Sequence, residues 1–321
     1  MHRTTTNWAL RAGALALTLM LPAAAQAATA PVATTGGAAN IAQQTARLTG
    51  SVDPNGAATT IQFQYGATSA YGAVTPEQVV TGDGKKTVTV DITGLAPATT
   101  YHFRLIARND KGLSKGADRS FKTKVQPLGV TFAATPNPLL TGGTTTLAGQ
   151  LTGTGNGGRD VVLQSNPFPY TQGFKAVGNK LVTDAAGNFS FGLQMVPLNT
   201  QFRVALPDKP AVVSPIVVVS VSVRVSTRLG TKTVKRGHKL TFQGSVTPDS
   251  AGGTPIAIQK LNSKKHWVTI TGTVTHKAGG SAATYSKRVT IRSGGKFRVY
   301  AGVTNGSYVP NTGSAVTIHT K

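Results

Sequence analysis

Short runs along this chain alternate strictly between apolar and polar residues. Ile61, Phe63 and Tyr65 alternate with Gln62 and Gln64, and Val88, Val90 and Ile92 with Thr89 and Asp91. Tyr101, Phe103, Leu105 and Ala107 alternate with His102, Arg104 and Arg108. A period of two puts one apolar and one polar face on an extended chain, which predicts half-buried strands. Between the runs lie Asp53-Pro54-Asn55-Gly56, Asn109-Asp110-Lys111-Gly112, the segment Asp184 to Asn188, and Ser293-Gly294-Gly295. These are turn chemistries, because glycine and asparagine tolerate positive φ. No long stretch carries apolar residues at helical spacing. With 37 glycines and 17 prolines, the expectation is an all-β chain.

A repeat organises the strands. Leu48-Thr49-Gly50-Ser51-Val52, Leu147-Ala148-Gly149-Gln150-Leu151 and Phe242-Gln243-Gly244-Ser245-Val246 share an apolar-x-Gly-x-apolar pattern. Phe103-Arg104-Leu105, Phe202-Arg203-Val204 and Phe297-Arg298-Val299 share a second pattern, always 53 residues after the glycine. A period near 100 with short strands predicts three tandem β-sandwiches rather than a solenoid. The expected domains are 31–124, 125–219 and 220–321, with short linkers near Lys124 and Val219 that favour an elongated rod.

Residues 1–27 read as a cleaved export signal. Arg3 and Arg11 precede and open an apolar stretch, Ala12 to Leu21, which Pro22 breaks, and Ala25-Gln26-Ala27 offers small residues for cleavage. Ten apolar residues are too few to span a bilayer, which takes about 20. The valine-rich stretch Ala211 to Val225 is interrupted by Pro215 and Ser220, and Val219, Val221, Val223 and Val225 alternate there with Ser220, Ser222 and Arg224. It predicts a strand, so no transmembrane segment is expected. The chain has no cysteine. A secreted, extracellular or cell-wall-associated protein built this way holds its fold by packing alone.

The stretch Leu95-x-Pro97-x-Thr99-x-Tyr101-x-Phe103-Arg104-Leu105-x-Ala107-x-Asn109, with Gly112 after it, resembles bacterial fibronectin type III domains. Phe63-Gln64-Tyr65-Gly66 and Tyr71-Gly72 are similar to the third-strand region of the variant found in secreted actinobacterial proteins. The resemblance covers residues 31–124. It implies that the Tyr101 hydroxyl bonds back to the preceding loop, and that the domain is a spacer or binding module. The second-strand tryptophan of animal members is absent. The other two segments resemble bacterial immunoglobulin-like domains, through Thr183-Asp184-x-x-Gly187-x-Phe189-x-Phe191 in one, and Trp267, Tyr285 and Gly295-x-Phe297-Arg298-Val299 in the other.

Little points to catalysis. After residue 27 the chain has one glutamate, Glu77, and nine aspartates, of which Asp53, Asp110, Asp184 and Asp249 sit in turns. No Gly-x-Ser-x-Gly elbow, His-Glu-x-x-His or calcium-loop spacing occurs. His102 and the scattered His238, His266, His276 and His319 lack ligand spacing. Gly82-Asp83-Gly84 and Gly155 to Gly158 read as hairpin turns, since no helix follows to hold a phosphate. No catalytic residue, metal or cofactor is expected.

Charge supplies the one remaining signal. Residues 220–321 hold 16 Lys and Arg and a single acid, Asp249, for a net charge of +15. The cations cluster as Arg224, Arg228, Lys232, Lys235, Arg236 and Lys239; then Lys260, Lys264 and Lys265 beside His266 and Trp267; then Lys287, Arg288 and Arg292; then Lys296 and Arg298. Such a field attracts polyanions, with salt-sensitive binding. The partners that fit are teichoic or teichuronic polymers, acidic polysaccharide, anionic lipid headgroups or extracellular DNA, without sequence-specific nucleic-acid readout. Trp267 either stacks on a sugar or covers the core. Two functional readings stay open. One is a binding or adhesion module array whose basic domain contacts an anionic envelope polymer, and the other is a structural spacer with a merely solvated basic surface. Neither fixes an oligomeric state.

Overall fold

The computed structural model describes residues 27–249 and 252–321. The expected export signal therefore lies outside the described residues, apart from Ala27. Every regular element among the described residues is a strand. The chain divides into two compact units, Met1–Lys124 and Val125–Lys321.

In the first unit, strands β1 (Val32–Ala39), β2 (Ala46–Asp53) and β4 (Lys86–Ile92) form one antiparallel sheet. The other sheet is built on β3 (Thr59–Gly66), β5 (Thr100–Asn109), β6 (Gly112–Lys115) and β7 (Arg119–Lys122). The alternation read from sequence sets the faces. Leu48, Val52, Ile61, Phe63, Phe103 and Leu105 from both sheets are buried in one cluster. Each such side chain contributes about 1.5–3 kcal/mol by leaving water. The Tyr101 hydroxyl accepts a hydrogen bond from the Ala96 amide at 2.9 Å, tying the loop before β5 to the strand.

The second unit holds two further buried clusters. One is enclosed by β8 (Gly129–Thr135), β9 (Thr144–Thr152) and β11 (Asn188–Gln194) against β10 (Asp160–Pro167), β12 (Thr200–Leu206), β13 (Lys209–Val213) and β14 (Val217–Val219). The other is enclosed by β15 (Lys239–Thr247) and β18 (Ala283–Thr290) against β16 (Pro255–Leu261), β17 (Trp267–Val274), β19 (Gly295–Ala301) and β20 (Val316–Thr320). Phe202 belongs to the first of these clusters and Phe297 to the second, while Phe103 sits in the first unit's cluster. The three sandwiches thus keep separate cores.

The repeated glycines have a steric cause. A Cβ on Gly50 would lie 3.0 Å from the Thr34 carbonyl oxygen and 3.4 Å from the Phe63 ring. On Gly149 it would lie 2.0 Å from the Thr131 oxygen, and on Gly244 1.9 Å from the Ser226 oxygen. At Gly149 and Gly244 the preceding segment passes so close that only hydrogen fits, and at Gly50 a Cβ would make a tight contact that the neighbouring chain must yield to.

Within the second unit the two sandwiches are bonded to one another. Val219 and Val221 fill the first core and Val223 the second, while Tyr308 packs against both. Leu139–Leu140 pairs in parallel with Val221–Ser222. Asn199 clamps the junction: its amide nitrogen donates to the Gly306 carbonyl at 2.8 Å, and its side-chain oxygen accepts from the Val221 N–H at 2.7 Å. Its own N–H donates to the Ser307 carbonyl at 2.8 Å.

Candidate polyanion-binding surface

The basic residues of 220–321 are distributed over both sheets of the last sandwich. Register places Arg228 opposite Gln243, Arg288 opposite Thr241, and Lys239 opposite Thr290, all on the solvent face of the β15–β18 sheet. Lys232, Lys235 and Arg236 flank the short strand Thr233–Val234 at the far edge of the other sheet and are exposed. Lys264 and Lys265 form the tip of the β16–β17 hairpin, where Lys265 takes a left-handed φ of 61°. The Asn262 side chain holds that tip by accepting the His266 N–H at 2.8 Å. Arg292 and Lys296 flank the Ser293-Gly294 turn and are exposed. Arg224 is exposed but donates to the Thr141 carbonyl of the neighbouring sandwich at 3.2 Å.

Four of the expected surface residues are half-buried. Lys287 lies opposite Phe242, on the core-facing row between Tyr285 and Val289. An inward-pointing charge on an outlying strand blocks pairing with another chain, a structural use of lysine. Lys260 donates to the Ser293 carbonyl at 3.0 Å and lies over the Phe297 ring, 5.5 Å from its centre. Trp267 and Arg298 meet each other: the guanidinium sits 4.4 Å from the indole centre, and Nε donates to Gln259 Oε1 at 2.8 Å. Trp267 is outside the buried cluster, so it does not cover the core.

That Gln–Arg–aromatic arrangement occurs in every sandwich. Arg104 donates to Gln64 at 2.9 Å and covers the Tyr71 ring at 4.6 Å. Arg203 donates to Gln164 at 2.7 Å and covers the Phe174 ring at 4.2 Å. The repeated Phe-Arg-apolar motif therefore points its phenylalanine into the core and its arginine onto a ring at the surface. Sequence reading missed the glutamines, although their separation from the arginine is 40, 39 and 39 residues.

Electrostatics separate the last sandwich from the rest. The acid–base pairs among the described residues are Arg47–Asp91, His102–Asp118, Lys111–Asp110, Arg159–Asp208 and Lys180–Asp160. All precede residue 220. Asp249 is occupied by hydrogen bonds from the Gly252 N–H, at 3.0 Å, and the Thr275 hydroxyl. In the first unit, His102 Nδ1 lies 2.8 Å from Asp118, which also accepts from the Tyr71 hydroxyl at 2.9 Å. These contacts hold the Asp118 carboxyl below the usual carboxylate range, the His102 bond contributing most. Burial raises the Tyr285 phenol above its ordinary value.

Among the described residues no group of three or more His, Asp or Glu could hold a metal ion. No described helix is long and apolar enough to cross a membrane. No family model matches the chain. No curated protein matches it either. Similar solved structures include the chicken CNTN1 FN1–FN3 domains, at 14% identity and a TM-score of 0.29, covering 89% of this chain and 98% of that one. A tetra-tandem repeat from the extending region of a large adhesion protein is 15% identical, covering 91% of this chain and 74% of that one with a TM-score of 0.31. The short sensor-domain structure of the anti-sigma factor RsgI4 from Pseudobacteroides cellulosolvens is 21% identical with a TM-score of 0.25, covering 29% of this chain and 94% of that one. The functional reading rests on none of these similarities.

Proposed function

We propose that this protein is a non-enzymatic binding protein of the extracellular space or cell envelope, whose last sandwich, residues 220–321, contacts anionic polymers. Domains 31–124 and 125–219 present that sandwich. The observation that supports this reading is charge without compensation. None of the 16 Lys and Arg after residue 219 has an ion-pair partner among the described residues, and the only acid there is already hydrogen-bonded. Cations left unpaired over one small body create a field of several kT that draws in polyanions and releases their counterions on contact.

The test uses the full chain. Its affinity for a sulfated polysaccharide and for a purified wall polymer is measured over a salt series. A straight, steep fall of log affinity with log salt is expected. Saturable binding absent at about 0.15 M ionic strength, where charges remain visible over about 8 Å, ends the proposal. The spacer reading has its own support in the junction bonded by Asn199 and Tyr308, which stiffens the chain. It predicts no saturable binding to any envelope fraction.

A further inference from the structure

We infer that anion binding by the last sandwich centres on one cleft, between strands β17 and β18, that takes a phosphate or sulfate ester carried on a hydroxylated chain. This rests on the polyanion reading above and adds a place and a ligand chemistry to it. The two sheets part along this side of the sandwich and leave a cleft of about 460 Å³. That size falls within the range of ligand pockets, about 300–1,000 Å³.

Three cations from two stretches of sequence line the cleft: Lys260 from β16, and Arg288 from β18 with Arg292 just beyond it. No carboxylate lines it, and Asp249 is held by Thr275. Arg288, Thr290 and Arg292 follow one another at alternate positions, all exposed, while the intervening Val289 and Ile291 are buried and form part of the floor. Alternate residues on a strand stand about 7 Å apart on the same face. Arg288 and Thr290 stand so on β18, and Arg292, exposed two residues past the strand's end, follows them, giving cation, hydroxyl, cation along this edge. Lys260 is fixed beside it by Ser293 and the Phe297 ring, so its ammonium needs little ordering on binding.

This arrangement selects its ligand. A tetrahedral oxyanion offers oxygens in several directions and can meet cations on different walls at once. Arginine adds a fork that matches phosphate and sulfate geometry. Thr271, Thr290 and Ser293 supply hydroxyls for a polyol or sugar. A cleft of similar size nearer the start of β18, against β15, is a weaker site. It carries a single arginine, Arg228, and its Ser226 and Ser245 hydroxyls are bonded to each other at 2.8 Å.

The experiment compares two charge-matched variants of the full chain. R288Q/R292Q empties the cleft wall, and K232Q/K235Q removes the same charge from the far edge of the other sheet. All four residues are exposed, so both variants keep the fold, which equal melting temperatures verify. Calorimetric titrations use a sulfated oligosaccharide, a polyglycerol phosphate oligomer, a carboxylate-only oligogalacturonate and a DNA duplex. The expected result is a loss of about tenfold or more for R288Q/R292Q on the sulfate and phosphate probes, since charge-assisted hydrogen bonds go with the charge. For K232Q/K235Q the expected loss is about two- to fourfold, the field effect alone. The stronger of the two ester arms identifies the source of the oxyanion. Equal losses in the two variants overturn the cleft but leave polyanion binding standing. Absence of binding by the parent chain overturns both. Preference for oligogalacturonate or DNA refutes the ester chemistry.

Discussion

Replacing Asn199 with alanine should uncouple the two sandwiches of Val125–Lys321. Asn199 is buried, and its side chain spends both its donor and its acceptor on the junction, at Gly306 and Val221. The two losses differ in kind. Gly306 is an exposed residue, so its carbonyl recovers a bond to water and that loss is about 0.5–1.5 kcal/mol. Val221 is fully buried, and its N–H would be left without an acceptor, which costs about 1–3 kcal/mol. The sum is about 1.5–4.5 kcal/mol. For a body of this size each kcal/mol moves the melting temperature by about 2–4 °C, so a drop of roughly 3–18 °C is expected. The assay is calorimetry of the full chain. Parent protein should show residues 125–321 melting as one cooperative transition, and N199A should melt earlier and split. A melting temperature within about 1 °C of the parent, with the transition undivided, would refute the clamp. N199D serves as a second check: it keeps the acceptor for Val221 but turns an oxygen toward the Gly306 carbonyl, and should fall between the two.

Three further outcomes follow from the geometry. G244A should destabilise the last sandwich by about 1–3 kcal/mol or more through overpacking against the Ser226 carbonyl, whereas G192A, with open space around it, should change denaturation midpoints little; equal effects would remove the steric account of the repeat. In a W8F background, which leaves Trp267 as the sole tryptophan, R298A should shift Trp267 emission to longer wavelength by uncovering the ring; an unchanged spectrum contradicts the stacking. Acid unfolding of the first unit should depend on Asp118. Its carboxyl is held below the usual range in the folded state, so the stabilisation is present above the unfolded value of about 3.9 and disappears as pH falls through the folded value. D118N should lose this part of the acid response, and superimposable profiles for parent and variant would argue against it.

The strands and the repeat were legible because they depend on local alternation and on spacing along the chain. Leu48, Phe63, Phe103 and Leu105 announce their faces by position alone. The glycines were visible as a motif but not explained, since the carbonyl that forbids a side chain comes from a different strand. Trp267 was harder to place. Reading Trp267 and Thr269 as one face and Val268 and Ile270 as the other leaves open which face is inside. Pairing with Leu261 and Gln259 puts Trp267 and Thr269 outside, and an irregularity in the pairing between Ile258 and Gln259 leaves Ile270 out of the ladder. The aromatic partners Tyr71, Phe174 and Trp267 reach their arginines from differently spaced positions, so no simple repeat marks them. The cleft was invisible for the same reason: Lys260 belongs to a different charge cluster in sequence from Arg288 and Arg292 and meets them only after the sheets stack. The short junction near Val219 was expected to be a linker, but Val221 and Val223 enter two cores in succession, which chain spacing alone does not reveal.

That succession limits how such a protein can be cut and recombined. A splice placed after Val219 would carry off Val221, which belongs to the core left behind, and would strand Asn199 without the backbone it binds. A donor gene supplying only the last sandwich would also have to supply a tyrosine where Tyr308 serves both sides. The inheritable block is therefore the pair, and shuffling is expected to move residues 125–321 together.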